Sequence, residues 1–450
     1  MMQAEFIEKY DRRVPRYTSY PTAPHFSPAV DEAVYRSWLG ELPDGGLTSV
    51  YLHVPYCAVL CWYCGCHTGV VRGHKPIADY AVLLEREIDI AAASLRGRLK
   101  IDHLHWGGGT PNMLHPDEIA RIDAKLREHF DFMPTAEISV ELDPRALNEA
   151  TVQAFAASGV TRASFGVQDV DEAVQKAINR IQPYEMTAEC VGWLRRAGIK
   201  SINFDLVYGL PLQTVSGLEE TIDRVTQLHP DRIAVFGYAH VPWMRKHQKL
   251  LDEAAMADMG ERIEQCNAVA RRLTGHGYVQ IGLDHFARPE DPLAVSLGTG
   301  TLHRNFQGYT TDRCETLLGF GESSISHLPQ GYAQNAADIT RYRECIGAGQ
   351  LPITRGIRFQ GQDRLRGDVI ERLMCNFAVD LEDAADRHGS GPEIFADTLP
   401  RLDALAQDGI LRRQGWRIEI AEEARSFVRA ACAVFDTYLN EQGDRHSRIV

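Results

Sequence analysis

From about residue 48 to 285 the chain alternates short β-rich runs with stretches of helical spacing. The pattern predicts strands at Ser49–Val54, Ile101–His105, Ala136–Leu142, Thr161–Val167, Ser201–Val207, Arg232–Tyr238 and Tyr278–Leu283. Helices fall between them. One covers Asp79–Ala91 and presents Tyr80, Leu84 and Ile88 on one face. Another is expected to start at the capping box Ser216-x-x-Glu219, with Leu218, Ile222, Val225 and Leu228 at helical spacing. Strand and helix repeated in this way build a parallel sheet.

Three successive strands alternate in the same sense. Ile138, Val140 and Leu142 oppose Glu137, Ser139 and Glu141. Ala163, Phe165 and Val167 oppose Ser164, Gly166 and Gln168, and Ile202, Phe204 and Leu206 oppose Asn203, Asp205 and Val207. A parallel sheet buried on both faces reads as nearly continuous apolar sequence. Here one face suits covering helices and the other suits a wet, ligand-holding interior. The expected fold is α/β, a partial or open (β/α) barrel. Glu141, Gln168 and Asp205 fall at or near C-terminal strand ends, where barrel enzymes place chemistry.

Two regions depart from the repeat. Residues 1–47 form an N-terminal extension, rich in Pro and Tyr over Pro15–Thr22, expected to be extended. Residues 48–350 are the barrel span, and 351–450 a mostly helical C-terminal domain. There, Asp363–Phe377 and Ile394–Ala406 read as helices, followed by a hairpin of Ile410–Leu411 and Arg417–Ile420 about Gln414-Gly415. Helices with a hairpin resemble a winged helix. Residues 361–450 hold 12 Lys and Arg against 17 Asp and Glu, so a lid or partner surface is expected rather than a DNA contact.

Composition narrows the function. The 450 residues are 44% hydrophobic and 24% charged, which excludes disorder over most of the length. A net charge of −13 argues against nucleic acid as a partner. No apolar run reaches the length of a membrane span, and the charged start Met1–Arg13 lacks the core of a secretory signal, so a cytoplasmic address is expected. Of ten cysteines, Cys57, Cys61, Cys64 and Cys66 crowd into ten residues after the first strand. The spacing C-x3-C-x2-C sets three thiolates on one loop. Three can hold three irons of a cubane and leave the fourth iron open for a ligand. A closed zinc site completed by Cys66 or His67 is the competing reading. The second strand ends in His105-Trp-Gly-Gly-Gly109-Thr-Pro111, a glycine turn that lets a ligand approach the backbone.

The cysteine loop after strand one and the glycine loop after strand two together resemble the radical S-adenosylmethionine (SAM) superfamily. Within it the chain is similar to the oxygen-independent coproporphyrinogen III oxidases, through Pro15–Thr22, Tyr51–Cys66, His105–Pro111, Glu141–Arg145, Phe165–Asp169, Asp205–Pro211, Tyr238–His240, Asp284–Pro289, His303–Tyr309 and Asp436–Leu439. The resemblance implies a [4Fe–4S] cluster on Cys57, Cys61 and Cys64. It implies two SAM molecules, one lined by Tyr51, Gly108, Glu141 and Ile325. The other is lined by Tyr63, Gly109, Thr110, Gln168, Arg180, Asp205 and Ala239. Acidic and amide groups suit hydroxyls and a sulfonium-bearing amino acid, and Arg180 suits a carboxylate. Trp62, and His67 after Cys66, depart from the family's usual residues without touching the ligand set.

The implied reaction converts two propionates of coproporphyrinogen III to vinyl groups, giving protoporphyrinogen IX in haem biosynthesis. Cys66 is the candidate catalytic thiol, and Arg16, Arg288 and Arg304 are candidates for the substrate carboxylates. A flavodoxin-type electron donor and a monomer are expected. A haem chaperone of the same superfamily, or a radical SAM haem-opening enzyme, is the alternative.

Overall fold

A computed structural model describes residues 9–10 and 14–439. Apart from Lys9 and Tyr10, the charged start Met1–Arg13 lies outside the described residues, as does 440–450 of the C-terminal span. The chain forms two compact units. One comprises Phe26–Met256 and Asp312–Arg358; the other gathers the N-terminal stretch up to His25, Ala257–Thr311 and the chain from Phe359 onward.

In the first unit the predicted strands form: β1 (Leu47–Val54), β2 (Lys100–Gly108), β3 (Asp131–Leu142), β4 (Arg162–Gln168), β5 (Ser201–Tyr208) and β6 (Arg232–Gly237). They lie parallel in sequence order. A seventh, β7 (Leu317–Phe320), pairs parallel with β1 on the other side. Beyond it run the antiparallel β8 (Ile325–Leu328), β9 (Gly331–Asn335) and β10 (Ile353–Arg358). Within this unit β6 and β10 are the outer strands, so the sheet does not close on itself. Crossover helices Lys75–Ala92, Pro116–His129, Glu149–Ala157, Tyr184–Arg196 and Val215–Thr226 cover the apolar face. Val140, Phe165, Ile202 and Phe204 are essentially inaccessible beneath them.

Several expectations need correction. The helix at 215 is capped not by Ser216 but by Thr214, whose hydroxyl accepts from Gly217 N at 3.1 Å; Leu228 lies past its end. The run at Tyr278 is not a further parallel strand. Val279–Ile281 pairs antiparallel with His285–Ala287, because Gly282 at φ 60 turns the chain back at once. The extension is not all extended: Glu32–Glu41 is a helix, with Asp31 capping Val34 N, and it buries Tyr35, Trp38 and Leu39.

In the second unit, helices Asp363–Asn376, Leu399–Gln407 and Val428–Phe435 pack with a three-stranded sheet. Ala378–Asp380 adds a third strand to the predicted hairpin. The Ile394–Ala406 run divides, a 3-10 turn over Pro392–Thr398 preceding the α-helix. The aromatic stretch belongs to this core: Tyr17 donates to Asp436 Oδ2 at 3.1 Å, and Tyr20 OH lies 3.0 Å from Thr437 Oγ1. Pro15–Thr22 and Asp436–Leu439, far apart in sequence, thus meet.

Glu87, 2% exposed on the first crossover helix, holds together the end of β7 and the segments after it. Its carboxyl accepts from Gly321 N, Asn335 Nδ2 and Tyr342 OH at 2.7, 2.6 and 2.6 Å. Burial outweighs these donors and raises its pKa from 4.5 to about 7. A raised carboxyl favours the protonated fold. Its contribution is complete below pH 4.5, shrinks as pH rises towards 7, and is gone above. Glu87→Gln is therefore expected to flatten the pH dependence of unfolding between pH 5 and 8 by roughly 1–3 kcal/mol, read by urea titration.

Candidate active site

The cysteine loop leaves the C-terminal end of β1 and is pinned to its surroundings. Trp62 N donates to Ile178 O at 3.0 Å and Asn179 Nδ2 to Leu60 O at 2.9 Å. His247 Nε2 caps Cys64 O at 2.7 Å. Gln248 Nε2 reaches Tyr63 O at 3.0 Å and Ala239 O at 3.4 Å, which joins two predicted site residues. Trp62 and Tyr63 pack on Ile178, Leu210 and Tyr238.

Cys57, Cys61 and Cys64 are all free thiols. Each sulfur faces a donor. Thr110 Oγ1 donates to Cys57 Sγ at 3.3 Å, and Thr68 Oγ1 lies 3.1 Å from it. Arg145 Nη2 and Arg180 Nη1 approach Cys61 Sγ at 3.3 and 3.5 Å. Cys66 N donates to Cys64 Sγ at 3.4 Å. A hydrogen bond from the Cys66 thiol lowers Cys64 and raises Cys66. Hydroxyl, guanidinium and amide donors thus stand beside the three sulfurs, although burial still pushes the Cys57 thiol up. Cys66 itself is exposed.

Glycines 108 and 109 let this loop lie against the end of β2. A Cβ on Gly108 would stand 2.9 Å from the His53 ring and from Val54 N, and one on Gly109 would stand 2.8 Å from Tyr56 O. Gly108 also has φ 115, which disfavours any side chain.

The predicted cofactor residues fall into two groups. In one, Glu141 accepts from Gly108 N at 3.2 Å and meets His105 Nε2 at 3.1 Å; His105 stacks on Tyr51, ring centroids 5.8 Å apart. Ile325 lies two strands from Tyr51. Its backbone crowds Gly319, which is paired with Tyr51. In the other group, Arg180 Nη2 donates to Gly166 O at 2.5 Å, and the Gln168 amide lies over the same glycine. A register shift between Gly166 and Gln168 ends β4, and Gln168 takes φ 68, rare for a side-chain-bearing residue. Asp205, opposite Gly166, accepts from Ser164 Oγ at 2.7 Å and Asn203 Nδ2 at 2.9 Å.

Asp143 and Arg145 carry no predicted role, yet they link Arg180 to the cysteine loop. Asp143 lies 2.7 Å from Arg145 Nη2 and 3.3 Å from Arg180 Nη1. Burial alone would raise Asp143, but the two guanidiniums outweigh it and hold it below the usual carboxylate range. The available signal was Asp-Pro-Arg directly after a strand that ends in Glu141.

Residues 51–225 match the Radical SAM superfamily. An oxygen-independent coproporphyrinogen III oxidase of Bradyrhizobium diazoefficiens is 51% identical over 450 residues, covering 100% of both chains. One of Cereibacter sphaeroides is 44% identical over 429 residues, 95% of each chain. Among solved structures, the coproporphyrinogen III oxidase HemN of Escherichia coli, described as a radical SAM enzyme, aligns with TM-score 0.90 at 39% identity. That match covers 94% of this chain and 98% of that one.

Proposed function

Because the chain belongs to the oxygen-independent coproporphyrinogen III oxidases of the radical SAM superfamily, we propose how its own side chains serve that reaction. The reaction is the anaerobic oxidative decarboxylation of two propionates of coproporphyrinogen III to vinyl groups. The family uses a [4Fe–4S] cluster and SAM, so the closed zinc reading of the cysteine loop gives way, and the chaperone and haem-opening alternatives are not favoured. When bound, these cofactors supply a 5′-deoxyadenosyl radical that takes a hydrogen from the propionate.

The observation that carries the assignment is the triad of donor-facing thiols beside the glycine turn. Cys57, Cys61 and Cys64 hold the cluster. Tyr51, Gly108, Glu141 and Ile325 line one SAM; Tyr63, Gly109, Thr110, Gln168, Arg180, Asp205 and Ala239 line a second. For the substrate we favour Arg304 over Arg16 and Arg288. Its Nε and Nη1 are buried without hydrogen-bond partners among the described residues, and its guanidinium lies over the Tyr309 ring at 4.5 Å. A carboxylate would satisfy those donors.

Residues 48–350 carry catalysis and 351–450 act as a lid in this reading. A cut near 355 would be a poor test, since Ala257–Thr311 shares a compact unit with the C-terminal chain. A flavodoxin-type reductant, a monomer and a cytoplasmic setting complete the proposal. No described helix is long and apolar enough to cross a membrane.

The test is anaerobic turnover of coproporphyrinogen III with matched measurement of 5′-deoxyadenosine and protoporphyrinogen IX. Both are expected from the native chain; 5′-deoxyadenosine release indifferent to the porphyrinogen would overturn the reading. Cys66→Ser is the companion variant. Cys66, an exposed residue whose thiol meets Cys64 beside the cluster loop, suits a substrate-facing role, so iron content and SAM binding are expected to hold while protoporphyrinogen falls at least tenfold. Unchanged product would reduce Cys66 to a loop residue, and lost iron would make it a ligand.

A further inference from the structure

The opposite end of the same strands holds a second cluster of metal-binding side chains. Near the starts of β1 and β2, Thr48 pairs with Ile101 but Ser49 pairs with His103, so Asp102 is an extra, bulged residue. Regular strand geometry sends consecutive side chains to opposite faces. The bulge instead brings Asp102 and His103 together. His103 Nδ1 lies 3.2 Å from Asp102 Oδ2 and 3.5 Å from Asp312 Oδ1. Ligand atoms of Asp102, His103 and Cys314 lie within 4.8 Å of one another.

His103 Nδ1 is buried and makes no hydrogen bond, although two carboxylates surround it. The 3.2 Å separation from Asp102 Oδ2 is close to the edge of a tetrahedron of donors, roughly 3.4 Å when metal–ligand bonds are about 2.1 Å. Asp312 is also held in place from behind: Ser49 Oγ donates to its Oδ2 at 2.5 Å and Cys314 N to its Oδ1 at 2.9 Å. Such partners fix the carboxylate that stands beside His103.

We propose that Asp102, His103 and Cys314 hold a divalent cation of the zinc type, with the Asp312 carboxylate beside His103. Thiolate and imidazole select a borderline d-block ion over calcium or magnesium, which prefer all-oxygen sites. The three ligands sit at the opposite end of the strands from the cysteine loop and the glycine turn, so the role is structural. The ion clamps the segment leading into β7 onto the starts of β1 and β2. β7 joins β1 from more than 250 residues away, so its insertion gains from a fixed anchor.

The site is tested on holoenzyme with its cluster loaded, so that the cysteine loop is occupied. The protein is exposed to zinc and washed, and zinc and iron are counted together. One zinc per chain is expected beside an unchanged iron content, with a thermal midpoint that rises on zinc addition and falls on chelation. His103→Gln and Cys314→Ser, made separately so that a folding failure in one leaves the other decisive, should each retain iron but bind zinc at least tenfold more weakly and lose the thermal response. No retained zinc in the native chain, or equal retention in a folded variant, would leave these side chains as a polar cluster without a metal.

Discussion

Cys61→Ser is expected to strip the anaerobically purified protein of most iron and sulfide and to abolish its brown colour. Cys61 is 6% exposed and receives two guanidinium donors, from Arg145 and Arg180. Those donors suit a sulfur that ligates iron, whereas a serine hydroxyl is a poor iron ligand. Leu60 and Trp62 are fixed by Asn179 and Ile178, so the loop around Cys61 is held in shape. Cys57→Ser and Cys64→Ser should behave alike. Cys345→Ser, buried on a separate helix, is the control and should keep its iron. A full iron and sulfide complement in Cys61→Ser would refute the three-thiolate assignment.

Much of this site was legible because it is local in sequence. C-x3-C-x2-C and the glycine turn each sit at the end of one strand, and a parallel sheet carries consecutive strand ends to one edge. The period-two alternation of β3 and β5 likewise placed Glu141 and Asp205 on the less buried face of their strands, since parity needs no knowledge of neighbours. What was missed depends on distant partners. Asp143 and Arg145 acquire their role only when Arg180 and Cys61 are brought against them. Strand β7 carries few residues and no helical crossover of the repeating kind, so its pairing with β1 left no periodic trace. The helix at Glu32–Glu41 was hidden by the Pro- and Tyr-rich run before it, although Asp31 marks its cap. Gly282 reversed the chain where the pattern alone predicted a further parallel strand.

Arg180→Ala is expected to keep most of the iron yet to lower SAM cleavage on the order of 100-fold, a loss set by removing one partner from a buried charge cluster. Arg180 is 6% exposed and holds Gly166 O and Asp143, beside the Gln168 amide. Its planar fork can also meet an amino-acid carboxylate in two places, which a lysine cannot do. Arg180→Lys should therefore restore the charge and the fold but only part of the SAM affinity. The pH profile separates positioning from mere stability. Asp143 is held below the usual carboxylate range partly by Arg180. Without that guanidinium its pKa rises towards the ordinary value, so the acid limb of the residual activity should move to higher pH in Arg180→Ala and return in Arg180→Lys. An unshifted limb with unchanged SAM cleavage would show that the cofactor carboxylate is held elsewhere. Loss of iron in both variants would make Arg180 a support of the cysteine loop alone, acting through Cys61.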